Sequence, residues 1–164
     1  GEPDGHRAAR VVKLGQALTA AGFEAPVRDG IRWNIWLKLW GNVCFNPIAA
    51  LTHATLDRIT SEPGLRALCI AMMREAQAVS AAFNIHIPDE MIERRLAAAG
   101  SVISHKMSML QDLERQKPLE IDALVTVVQE FGRMTGVPTP TIDAILALVR
   151  ERERHAISSQ PAAI

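Results

Sequence analysis

The chain has 164 residues, enough for one domain with a real core, and its 18 basic residues balance its 18 acidic ones. That balance leaves no basic excess for nucleic acid and no acidic tail. The two cysteines, Cys44 and Cys69, each lie in apolar helical sequence without zinc-like spacing. They read as reduced core thiols of a cytoplasmic protein. The polar N-terminus lacks the hydrophobic run of a signal peptide, and no internal repeat is visible.

In chain order, residues 6–21 predict a helix with Val11, Val12, Leu14 and Leu18 spaced to pack one side, ended by Gly22. Phe23 to Val27 predicts a short strand, an orphan edge without its sheet neighbours. Residues 31–56 predict one long helix, bent near Pro47 because proline cannot donate to the carbonyl of Val43. Residues 63–84 form the next, opened by Pro63 after Ser61. Its apolar stripe is Leu65, Leu68, Met72, Ala76, Val79 and Phe83, with Met72 and Met73 as core filler. Helices over 89–103, 105–115 and 119–135 follow. In the last of these Ile121, Leu124, Val125, Val128 and Phe131 keep helical spacing, and Gly136 is a fitting stop. Residues 140–154 predict a final helix with Ile142, Ile145, Leu146 and Val149 on one face, and 158–164 predict a disordered tail. His53, His86, His105 and His155 are dispersed, so no metal site is expected.

The helix over 31–56 carries an unusual polar ridge. Lys38, Asn42 and Asn46 sit at i, i+4 and i+8, and each step of four drifts only about 40° around the axis. Asn34 extends the ridge one turn back, while Trp33, Trp36 and Trp40 cluster on a roughly opposite face. Such a ridge is often just a solvated face. Yet residues 39–56 contain no Asp, Glu, Lys or Arg, so the helix reads as buried nearly all round. Burying an unpaired amide costs roughly 1–3 kcal/mol, so something polar should face these residues, a substrate being the first candidate. A membrane span fits poorly: the stretch is near the lower length limit and holds two Asn, a Pro and a His.

A second polar segment is Ser108-Met109-Leu110-Gln111-Asp112, followed by Glu120-Ile121-Asp122. Acidic residues in a first helical turn are favoured by the exposed N–H groups there, which explains Glu120 and Asp122 without any ligand. In the functional alternative, Ser108 donates to a substrate carboxylate and Glu120 accepts from a cofactor or substrate hydroxyl.

Together these pieces resemble ketopantoate reductase (2-dehydropantoate 2-reductase), specifically its C-terminal domain. The resemblance runs from about Gly1 to His155. It is carried by Trp36-Leu37-Lys38-Leu39-x2-Asn42-x3-Asn46-Pro47, the two segments above, and Gly136-Val137-Pro138-Thr139-Pro140. The opening Gly1-Glu2-Pro3-Asp4-Gly5 is similar to the loop near the end of that family's nucleotide-binding domain. The resemblance implies an all-α, multi-helix bundle of the 6-phosphogluconate-dehydrogenase C-terminal type, preceded by a short helix–strand remnant of a Rossmann domain. It divides the chain into a remnant over 1–29, a substrate-binding and dimerising domain over 30–156, and a disordered tail over 157–164.

It also implies chemistry: reduction of a 2-oxo acid to a 2-hydroxy acid with NADPH, as in ketopantoate to pantoate for pantothenate synthesis. Lys38 would protonate the developing alkoxide, Asn42 and Asn46 would hold substrate oxygens, and Ser108 would contact the substrate carboxylate. Glu120 would sit beside Lys38 and the bound ligands, including the cofactor. The implied partners are a small 2-oxo acid, an N-terminal Rossmann domain and a second copy of the chain, in the cytoplasm, with no nucleic acid or membrane. Two positions depart from the family pattern. Some members carry Asn where this chain has His105, and a further Asn has no equivalent around Thr55 and Leu56, so the 2-oxo acid stays open between ketopantoate and another.

No Gly-x-Gly-x-x-Gly follows a predicted strand, and that element is what cradles a dinucleotide phosphate. The expectation is therefore the catalytic and substrate-binding half of an enzyme, inactive alone. The alternatives are a non-catalytic helical binding or dimerisation module derived from it, or an opine-type or other hydroxy-acid dehydrogenase.

Overall fold

The computed structural model describes residues 1–158. These form eight α-helices and one π-helical segment, with no strand among the described residues. The protein is thus all-helical, as its low β-branched alternation and long 3.6-periodic stretches require. Two compact units are resolved, Gly1–Lys38 and Leu39–Ile164.

The first unit holds α1 (Ala9–Ala20) and the opening turns of α2 (Ile31–Thr52). The expected strand over Phe23–Val27 is not formed: the segment is irregular chain. A strand is stable only where its N–H and C=O groups find a ladder, and none is available here. The segment instead passes close to α1, where a Cβ on the buried Gly15 would lie 3.0 Å from Val27 and 3.3 Å from the carbonyl of Ala25. Arg10 donates to both carboxylate oxygens of Glu2 through its Nε and Nη2 at 2.6 and 2.8 Å, and Arg7 pairs with Asp29 at 3.1 Å. The apolar side read for α1 is only half right. Val11 and Val12 are half-buried, whereas Leu14 and Leu18 are exposed, as are Phe23 and Ile35.

The second unit is built on the remainder of α2. Trp40, Val43, Cys44, Phe45, Ile48, Ala49 and Ala50 are buried. The indole N–H of Trp40 donates to the carbonyl of Met73 at 2.8 Å, which ties α2 to α4 (Pro63–Ala82). Helix α2 continues through Pro47 to Thr52, and His53 then turns into the left-handed region at φ 57°. The sequence reading ran this helix on to residue 56 and so missed α3 (Leu56–Ser61), a short separate helix packed on α5 (Glu90–Gly100) and α4. Helix α4 opens as expected at Pro63, but its cap is the carboxylate of Glu62, which accepts from the N–H of Leu65 at 2.6 Å.

Helix α6 (Ser108–Glu114) is followed by a π-helical segment, Asp122–Thr126, that runs directly into α7 (Val127–Thr135). Gly136, at φ 71°, ends α7 in the left-handed conformation that glycine adopts without strain. Gly132 lets the next segment close over α7: a Cβ there would meet the carbonyl oxygen of Val137 at 2.8 Å. Helix α8 (Pro140–Ser158) packs on α4, and both carboxylate oxygens of Glu75 cap its first turn, accepting from Thr141 and Ile142 at 2.8 and 2.9 Å. The final helix therefore extends four residues beyond the predicted end. Of the expected disordered tail, 159–164 lies outside the described residues. No described helix is long and apolar enough to cross a membrane.

Candidate functional site

Lys38, Asn42 and Asn46 occupy three successive turns of α2, and their exposure falls steadily along it: Lys38 is exposed, Asn42 half-buried and Asn46 only 1 % exposed. Lys38 belongs to the first compact unit, and Asn42 and Asn46 to the second. The tryptophans behave as an anchor face, with Trp36 and Trp40 buried.

At Asn46 the structure brings two of the expected residues together. The Oδ1 of Asn46 accepts from the hydroxyl of Ser108 at 3.2 Å and from the N–H of Met109 at 3.3 Å. Helix α6 lacks a cap of its own, because Met107 occupies that position and carries no acceptor. Asn46 supplies the missing acceptor from another helix, which satisfies one of the orphan N–H groups of the first turn. Its amide is thus a structural fixture at Oδ1 while it holds the Ser108 side chain at the end of the ridge.

His105 is exposed, and its carbonyl accepts from the N–H of Leu56 at 2.9 Å. The two places where the chain departs from the family pattern, His105 and the Thr55–Leu56 step, are therefore neighbours in space.

Glu120 is exposed and lines an open hollow of about 540 Å³ with Leu119, Asp122, Arg150, Glu153 and Arg154. Asp122 accepts there from the hydroxyl of Thr126 at 2.8 Å and from Arg150 at 3.1 Å, and these partners hold its carboxyl below the usual range. Glu153 accepts from the N–H of Leu119 at 2.7 Å. The π-helical segment, a geometry that often accompanies functional sites, begins two residues after Glu120. No hydrogen bond brings Glu120 to Asn46 or Ser108 among the described residues.

Residues 30–153 match the family model for the C-terminal region of ketopantoate reductase PanE/ApbA. The chain belongs to this family. A 2-dehydropantoate 2-reductase from Mesorhizobium japonicum is 56% identical over 150 residues, 92% of this chain and 46% of that protein. A solved structure from Ralstonia solanacearum MolK2, provisionally assigned as a ketopantoate reductase, superposes with TM-score 0.89 at 42% identity, covering 94% of this chain and 47% of that one. The 2-dehydropantoate 2-reductase of Methylococcus capsulatus gives TM-score 0.88 at 28% identity, covering 99% and 55%. The chain spans about half the length of these relatives. The all-helical bundle is thus that of the ketopantoate reductase C-terminal domain, within a family of oxidoreductases.

Sequence reading overlooked one charged group beside the ridge. Arg95 of α5 lies against α2, where its Nε would be 2.7 Å from a Cβ on Gly41, and its guanidinium carbon stands 5.9 Å from the centre of the Phe45 ring. Gly41 was the available signal: a glycine inside an otherwise apolar helix marks a close approach. The thiol of Cys44 lies on the same helix, pushed well up by burial and then by its contact with Cys69. Among the described residues no group of His, Cys, Asp and Glu side chains is arranged to hold a metal.

Proposed function

We propose that this chain is the substrate-binding and proton-donating half of a cytoplasmic, homodimeric, NADPH-dependent 2-dehydropantoate 2-reductase. The observation that carries the reading is the ridge of α2, ending at an asparagine clamped to Ser108, in a chain of this family.

The described residues contain no strand and no glycine-rich phosphate turn, so they do not themselves offer a dinucleotide cradle. A dinucleotide-binding domain outside residues 1–164 would hold the cofactor, with Glu120 accepting from a hydroxyl at its edge. NADPH, when bound, supplies the hydride that the carbonyl carbon receives. The rest falls to this chain. Negative charge develops on the carbonyl oxygen, and the Lys38 ammonium both stabilises it and donates the proton that completes the hydroxyl. Asn42 would offer amide donors to the same oxygens, and Ser108 would turn the O–H that it donates to Asn46 in the free protein toward the substrate carboxylate. The exposure of Lys38 suits a proton donor, which must be reprotonated from solvent after each turnover.

The test is steady-state NADPH oxidation with ketopantoate by the full-length gene product. Lys38→Ala should lower kcat by roughly 10²–10⁴-fold, the range of a positioned general acid, with the fold unchanged by circular dichroism. A rate within a few-fold of the parent would remove Lys38 from the chemistry. Absence of turnover by the parent with ketopantoate, alongside turnover of another 2-oxo acid, would keep the reaction class and change the substrate.

A further inference from the structure

We propose that Arg95 is an anion-recognition residue for the carboxylate of the 2-oxo acid, a role that rests on the reductase reading above. Three observations lead to it. First, the side chain is half-buried, yet among the described residues no carboxylate pairs with it, and its Nε–H is sealed from solvent with no acceptor. A partly desolvated cation without a counter-charge opposes folding, and its stabilising contact with the Phe45 ring leaves the Nε–H unsatisfied.

Second, α2 makes room for it. Gly41 is buried in mid-helix, and any Cβ there would stand 2.7–3.1 Å from three guanidinium atoms. Glycine weakens a helix interior relative to alanine, so the exchange of helix stability for guanidinium contact again serves something other than packing. Phe45 completes the cradle from one turn further on, facing the cation with its ring.

Third, the location is right. At about 100° per residue, Phe45 lies about 60° round the helix from Asn42 and about 100° from Asn46, so the Gly41–Phe45 row is the strip beside the polar ridge. Arg95 borders the ridge on that side, and Ser108 borders it at Asn46. A carboxylate lying along Asn42 would then meet the Arg95 guanidinium from the Phe45 side, and the Ser108 hydroxyl once that O–H turns from Asn46. Guanidinium is the side chain best matched to a carboxylate, through two parallel N–H donors.

The experiment compares the parent with Arg95→Met, Arg95→Lys and Gly41→Ala in the full-length gene product, by kinetics and thermal unfolding. Arg95→Met should raise KM for ketopantoate roughly ten- to a hundredfold, with kcat within a few-fold, as expected for loss of a charge-assisted hydrogen bond. Arg95→Lys should recover part of that loss, and Gly41→Ala, which displaces the guanidinium, should reproduce part of it. Without ligand, the Tm of Arg95→Met should equal or exceed that of the parent, since an unpaired cation has gone. The stabilisation that millimolar sodium ketopantoate gives the parent should shrink in the variant. A parent that turns over ketopantoate while Arg95→Met keeps its KM within twofold overturns the role of Arg95 alone. A lowered Tm in Arg95→Met with unchanged KM assigns the residue to structure. A parent that turns over no 2-oxo acid overturns both readings.

Discussion

Asn46 shows how one side chain serves two ends. It is 1 % exposed, and its oxygen is the acceptor for both Ser108 and the N–H of Met109. Replacing it with alanine leaves a buried N–H without a partner, at a cost of about 1–3 kcal/mol. Asn46→Ala should therefore lower the urea midpoint measurably, whereas Ser108→Ala, which removes one hydroxyl bond of 3.2 Å at an exposed residue and leaves the N–H of Met109 paired, should lower it less. Equal losses in the two variants would mean that the hydroxyl, not the backbone N–H, is the partner that matters. Lys38 differs in kind: it is exposed, so its replacement tests chemistry with little effect on folding.

At the scale of the element, helix starts in this protein are repeatedly capped from a distance or by acidic side chains. Asn46 caps α6, Glu75 caps α8 and Glu62 caps α4. The carboxyl of Glu62 is held below its ordinary 4.5, chiefly by the N–H of Leu65 and next by that of Gly64. Its contribution to stability is therefore fully present above the ordinary value and is lost as pH falls through the depressed folded value. Thermal unfolding followed from pH 7 to pH 3 should show Tm falling across that window. Glu62→Gln should flatten part of the fall and lower Tm at pH 7, because the capping oxygen loses its charge. A pH profile unchanged by the substitution would show that the cap is not coupled to folding. The π-helical turn after Glu120 belongs to the same scale. The spacing of Ile121, Val125, Val128 and Gly132, all buried, tolerates an extra residue per turn that period counting alone does not detect.

At the scale of the whole molecule, the side chains proposed as proton donor and substrate contacts lie on this chain, whereas no dinucleotide cradle is present among the described residues. Residues 1–164 expressed alone should therefore oxidise NADPH no faster than background in the presence of ketopantoate, and joining them to a dinucleotide-binding domain should restore turnover. Catalysis by the isolated segment at a rate comparable with the joined protein would refute the division of labour proposed here. The exposed Leu14, Leu18 and Phe23 of the first unit belong to this scale too. Leu14 and Leu18 read as packing residues because spacing reveals which side of a helix is apolar, not whether anything covers it.

The sequence by itself determined the long helices, their approximate ends, the family and the ridge of Lys38, Asn42 and Asn46, because apolar period, helix breakers and residues one turn apart are all local properties of the chain. Only the tertiary structure decided what those residues touch. The clamp of Asn46 on Ser108 joins positions 62 residues apart, and the meeting of Arg95 with Gly41 and Phe45 joins two helices far apart in the chain. Nor did spacing reveal that the Phe23–Val27 segment has no ladder to join. Contacts across such separations depend on how helices pack, and packing is set by the summed fit of many side chains rather than by any short segment.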